Sequence, residues 1–61
     1  METIKEILMR RDGLSEDEAN AEIFDAKELL AEYLELGEID YAENICAECF
    51  GLEPDYLMEL L

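Results

Sequence analysis

The pair of thiols in "CAEC", Cys46-Ala47-Glu48-Cys49, is the only spacing in the chain with a familiar chemical use. A thioredoxin-type site needs its first thiol at a helix N-terminus that follows a strand, where the dipole and nearby cations lower its pKa. Here the pair falls late in a helical pattern among carboxylates, a setting that disfavours the thiolate and argues against redox catalysis. Zinc needs four ligands, and the chain has no histidine and no second cysteine pair, so the two thiols could close a structural site only across a dimer or with carboxylates. The plainer reading is packing: Cys46 and Cys49 share an apolar face with Ile45 and Phe50, and free cysteine is among the most buried residue types. No cofactor and no metal are expected.

Carboxylates are the other chemically capable groups. "GLSEDEANAE", residues 13 to 22, holds four of them and no positive charge. Ser15 with Glu18 forms a Ser-x-x-Glu capping box, and Glu16, Asp17 and Glu18 stand where a helix N-terminus carries partial positive charge. The first acids therefore serve a helix start. Paired-carboxylate catalysis needs two acids in distinct environments inside a pocket, which short helices leave little room to build. No Gly-rich phosphate loop and no Ser with a base partner is present, so no enzyme is expected. The D-x-D-x-D-G spacing of a calcium loop is absent, and Asp12-Gly13 lacks the preceding ligands.

What remains is a stripe: Glu18, Glu22, Asp25, Glu28, Glu32 and Glu35 follow at three- and four-residue spacing, and Glu38, Asp40 and Glu43 continue it. Glu48, Asp55 and Glu59 can extend it further. A charge run is often no more than a solvated face. Faces kept for solubility usually mix signs, however, because like charges four apart, such as Glu18 with Glu22 or Glu28 with Glu32, each cost a few tenths of a kcal/mol. The functional reading is a row of anions at about 5–6 Å intervals, comparable with phosphates along a nucleic-acid strand.

The elements that must carry this stripe are punctuated by Gly13, Gly37 and Gly51, each placed between an amphipathic run and a new start signal. Ser15 follows the first. Asp40 with Glu43, an Asp-x-x-Glu start, follows the second, and Leu52-Glu53-Pro54 follows the third, with proline suited to a first helical position. The pattern predicts an all-α chain, a compact small bundle of three to four short helices with one longer central helix, as a single domain over 1–61. Helix one, about 2 to 12, places Ile4, Ile7 and Leu8 on one face with Met1 at its margin. Helix two, about 16 to 36, has the core stripe Ala19, Ile23, Ala26, Leu30, Tyr33 and Leu34. Helix three, about 40 to 50, offers Tyr41, Ile45 and Cys49 beside Ala42, Cys46 and Phe50. Helix four, about 54 to 61, offers Leu57, Leu60 and Leu61, with Leu52 and Leu57 as a hydrophobic staple. The expected core is Ile4, Leu8, Ile23, Ala26, Leu30, Ile45, Phe50, Leu57 and Leu60. Phe24, Leu29 and Leu36 fall outside the stripe. They are either covered by helices three and four or left as a partner surface or homodimer seam.

The totals bound the partners. A chain of 61 residues buries only about 60% of its unfolded surface, and its net charge of −14 is unevenly spread: after Lys27 come ten acids and no base. Such a field repels phosphate and anionic lipid, so direct nucleic-acid binding and membrane-surface binding are both disfavoured. Cations or basic proteins are the natural partners. No apolar run approaches the roughly 18 residues of a membrane span, and no secretion signal is evident, so the expected location is the cytoplasm. A core this small and the apolar Phe24, Leu29 and Leu36 suggest a homodimer, although the charge works against self-association.

At "MRRDGLSEDEA", residues 9 to 19, and "GLEPDYLMELL", residues 51 to 61, the chain resembles a group of small acidic helical proteins of phage and prophage genomes. In these an Arg-Asp-Gly-Leu-Ser turn opens a long acidic helix, and Gly-Leu-Glu-Pro-Asp-Tyr-Leu begins the last one. The resemblance implies a phage setting and brings no assigned activity. In size and charge the chain is similar to phage inhibitors of host defence, anti-CRISPR proteins among them. The expectation is a non-enzymatic inhibitor of a basic, nucleic-acid-binding host protein, such as a CRISPR effector, acting by phosphate-charge mimicry in the host cytoplasm. The alternative is a structural or adaptor protein working through a helical, homodimeric interface.

Overall fold

A twenty-residue helix forms the spine against which the three shorter α-helices fold. The computed structural model describes residues 2–61; Met1, expected beside the first helix face, lies outside the described residues. The chain runs α1 (Ile4–Arg11), α2 (Glu16–Glu35), α3 (Ile39–Glu43), α4 (Ile45–Phe50) and a 3-10 helix (Pro54–Glu59), with no strand among the described residues. α1, α3 and α4 pack against α2, and the 3-10 helix packs against α4. The overall extents are 33 × 20 × 15 Å, the long dimension set by α2 at about 1.5 Å per residue. No helix among the described residues is long and apolar enough to cross a membrane.

Both long starts are capping boxes. Ser15 Oγ accepts from the Glu18 N–H at 3.1 Å, while Glu18 Oε1 accepts from the Ser15 N–H at 2.9 Å. α1 opens the same way: Thr3 Oγ1 accepts from the Glu6 N–H and Glu6 Oε1 from the Thr3 N–H. The Thr-x-x-Glu spacing was there to be read, and it places the start of α1 at Ile4 rather than at residue 2. Its other end is at Arg11, with Asp12 as cap.

α2 ends at Glu35 in a Schellman turn. The Glu38 N–H donates to the Tyr33 carbonyl at 2.8 Å and the Gly37 N–H to the Leu34 carbonyl at 3.2 Å. This turn requires a left-handed residue, and Gly37 supplies it with φ of +75°. The reversal is so tight that α3 begins at Ile39, with Glu38 at its cap and no side-chain capping bond. The Asp40–Glu43 start expected from the sequence is therefore not used. Tyr33 and Tyr41 stack across the turn, with ring centroids 5.5 Å apart, which pins α3 to the end of α2.

The single helix expected over 40 to 50 is two. Asn44 breaks it: its side-chain amide donates to the Asp40 carbonyl at 2.8 Å, taking the acceptor that the Asn44 N–H would use in a continuous helix. That N–H bonds Tyr41 instead, and α4 starts afresh at Ile45. The last element also differs from the α-helix expected over 54 to 61. It is a 3-10 helix from Pro54 to Glu59, with the Leu60 N–H closing onto the Leu57 carbonyl at 2.9 Å. Side chains three apart eclipse in this geometry, so Leu57 and Leu60 lie one above the other against the core.

The core collects Ile4, Leu8, Ala19, Ala26, Leu30, Ala42, Ile45, Cys46 and Phe50 from the four α-helices and Leu60 from the residue that caps the 3-10 helix. Seven of the nine expected core residues are buried, and Ile23 and Leu57 are half-buried against the cluster. Leu34 and Tyr41, expected on core faces, are exposed instead. Leu34 lines an open groove with Leu60 and Leu61 on another side of α2, and Tyr41 stacks on Tyr33. Cys49 is likewise exposed, whereas Cys46 is fully buried. A six-residue helix has only one inward side, and Ile45, Cys46 and Phe50 fill it.

Candidate partner-binding surface

At about 100° of rotation per residue, Glu18, Glu22, Asp25, Glu28, Glu32 and Glu35 occupy a sector of α2 roughly 140° wide. All six are exposed. The core stripe of Ala19, Ala26 and Leu30 is centred about 130° round the helix from the middle of this sector. Over seventeen residues of rise this face runs for about 25 Å. Beyond the Gly37 turn the exposed Glu38, Asp40 and Glu43 continue the negative field, and Glu48 and Asp55 are exposed on the elements that follow.

The ends of the stripe differ from its middle. Glu18 is engaged: its carboxylate holds the Ser15 N–H, and that backbone bond, with the Ser15 hydroxyl, lowers its pKa. Glu59 is engaged too, accepting from the Ile4 N–H at 3.1 Å and so fastening the 3-10 helix to the first turn of α1. Among the described residues, by contrast, no carboxylate from Glu22 to Asp55 has an ion-pair or side-chain hydrogen-bond partner within the chain. The ion pairs sit elsewhere. Arg10 grips Glu2 and Arg11 grips Asp12, each through two nitrogens, and Lys5 meets Glu16 at 3.0 Å. Three of the four basic side chains are thus paired at the N-terminal end, and only Lys27 stands on α2 among the acids.

Within this face lies a feature that sequence reasoning missed. Glu22, Asp25, Ala26, Leu29 and Cys49 line an open groove of about 260 Å³ between α2 and the end of α4. Its floor is apolar and two carboxylates flank it. Leu29, one of the three apolar residues outside the expected stripe, is half-buried here. Phe24 and Leu36 stay exposed at 61% and 68%. Such a groove suits a lysine or arginine, whose aliphatic stem lies on apolar surface while its charged head meets carboxylates. The signal available in the sequence was Leu29 at four residues from Asp25, but the contribution of α4 depends on the break at Asn44.

The Cys49 thiol on the groove wall has its pKa raised, first by partial burial and then by Glu48 and Glu22. Burial likewise raises the Cys46 thiol, with Cys49 and Glu59 adding to it. Both thiols are held in the protonated form, as the acidic setting implied. Among the described residues, no three of the cysteines, aspartates and glutamates converge as a metal-binding group.

None of the family models, curated proteins or solved structures compared with the chain matches it. The functional argument accordingly rests on this surface.

Proposed function

We propose that the chain is a non-enzymatic binding protein that uses the acidic face of α2 to occupy the basic, nucleic-acid-binding surface of a partner protein. The observation that carries this reading is the set of exposed carboxylates from Glu22 to Asp55 that, among the described residues, lack a side-chain partner within the chain. Like charges at this spacing cost stability in the free protein, and a basic partner turns the same charges into contacts. Glu22, Asp25, Glu28, Glu32 and Glu35 supply the central row, with Glu18 at one end and Glu38, Asp40 and Glu43 at the other. The groove beside Leu29 admits a lysine or arginine of the partner. The resemblance to small acidic phage proteins makes a host nucleic-acid-binding protein, such as a CRISPR effector, the target we favour. The chain then acts as an inhibitor in the host cytoplasm.

Electrostatics dominates such an encounter. Association is fast at low ionic strength and weakens steeply as salt rises, because exposed charges are screened over about 10 Å at 0.1 M. Capture from host extract on the immobilised chain tests this. Retained proteins should elute with salt and be displaced by added DNA or RNA. Changing Glu22, Asp25 and Glu32 together to lysine should abolish capture while the helical circular dichroism persists. Unchanged capture and salt dependence in that variant would overturn the proposal. A second reading, an adaptor docking through apolar contacts, is favoured by the exposure of Phe24 and Leu36. In that case Phe24→Ala, and not the charge reversal, removes binding.

A further inference from the structure

We infer that the open groove beside Leu29 is an anchor site for one arginine side chain of the basic partner, taken in preference to lysine. This rests on the binding role proposed above and names the residue that the role requires on the other protein. At about 100° per residue, Leu29 falls within about 40° of both Glu22 and Asp25, one to two turns further along α2. The two carboxylates therefore precede an apolar floor of Ala26 and Leu29 on one face of the helix, and Cys49 of α4 completes the lining.

Charge complementarity makes the occupant a cation. Neither Glu22 nor Asp25 has an ion pair or a side-chain hydrogen bond among the described residues. Lys27, the one base on α2, lines the separate groove with Leu60 and Leu61. The thiol wall stays uncharged at neutral pH, because partial burial, Glu48 and Glu22 raise the Cys49 pKa. The apolar floor selects the kind of cation. An ammonium is a compact, strongly hydrated point charge, and lying on Leu29 costs it water. A guanidinium is planar and weakly hydrated, so its face rests on apolar surface while its fork donates to carboxylates. Side chains three apart on a helix start about 5–6 Å from one another, a span that the two ends of one guanidinium can bridge. The row of acids then supplies long-range attraction and salt dependence, and the groove supplies a short-range contact that slows release.

The probes are a peptide of about ten lysines and the same peptide with one central lysine replaced by arginine, titrated by calorimetry in about 0.1 M salt. The arginine peptide should bind at least about fivefold more tightly. Cys49→Phe, which fills the groove from an exposed position, should bring that ratio to about one with the helical circular dichroism retained. Glu22→Gln combined with Asp25→Asn should do the same without filling the groove. Glu28→Lys combined with Glu32→Lys and Glu35→Lys spares the groove, and should weaken both peptides while the ratio persists. No arginine preference in the unaltered chain, a preference that survives Cys49→Phe or the Glu22 and Asp25 changes, or its loss in the Glu28, Glu32 and Glu35 variant would each overturn the inference. The broader mimicry reading fails on a different measurement, host-protein capture that charge reversal leaves unchanged, and the arginine ratio remains the measure of the groove.

Discussion

Removing the Glu59 carboxylate should lower the melting temperature by about 8 °C. Three of the four N–H groups that α1 leaves without intrahelical partners are satisfied by side chains: Thr3 N–H by Glu6, Glu6 N–H by Thr3, and Ile4 N–H by Glu59 at 3.1 Å. The first two bonds are local. The third spans 55 residues and, among the described residues, is the one hydrogen bond between the C-terminal 3-10 helix and α1. A partly buried hydrogen bond to a charged acceptor at a helix N-terminus contributes about 1 kcal/mol, part of it through the helix dipole. For 61 residues at about 2.1 cal/mol/K each, the unfolding entropy is about 0.13 kcal/mol/K, so 1 kcal/mol corresponds to about 8 °C. Glu59→Ala loses the whole contribution, and Glu59→Gln, which keeps a neutral acceptor, loses about half. Deleting any acid from a chain of −14 also relieves repulsion. Asp55→Asn, at an exposed acid without a partner among the described residues, supplies that baseline, and the Glu59 variants are read against it by thermal circular dichroism. A Glu59→Ala variant that melts within about 2 °C of Asp55→Asn would refute the idea that this clasp closes the fold.

Ile45 is fully buried, and Ile45→Ala should cost about 2–5 kcal/mol. That is comparable with the roughly 3–9 kcal/mol available to a chain of this length, so a urea titration should find the variant partly unfolded before denaturant is added. Glu6 and Glu18 have pKa values lowered from the ordinary 4.5, first by the backbone N–H of Thr3 and Ser15 respectively. A depressed folded pKa means that their contribution is complete above 4.5 and is lost as pH falls below it through the folded values. Glu6→Gln and Glu18→Gln should therefore flatten the acid-side decline of the melting temperature. Cys49 is exposed and Cys46 buried, so a thiol reagent at mildly alkaline pH should modify Cys49 in the native protein and Cys46 only on unfolding. Mass spectrometry of the labelled peptides distinguishes them.

What the sequence determined by itself is local. Gly13, Gly37 and Gly51 all lie at positive φ, the Ser15–Glu18 box opens α2, and the stripe of Ala19, Ala26 and Leu30 faces inward. Each of these is settled within one or two turns of chain, where capping bonds and helical period leave few alternatives. The exposed row from Glu18 to Glu43 follows from the same period, because a helix that buries one side must show the other. Other features required the tertiary structure. Whether the Asn44 side chain takes the Asp40 carbonyl depends on how sharply the chain must bend to lay Ile45 and Cys46 onto α2, and that break decides which cysteine is covered. The 3-10 form of residues 54 to 59 reflects the need to press both Leu57 and Leu60 against a finished core while Glu59 reaches Ile4. The groove between Glu22, Leu29 and Cys49, and the exposure of Leu34 beside Lys27, depend on where two short helices stop against a long one. No periodicity encodes that stopping point, because it depends on side chains distant in sequence filling the same space.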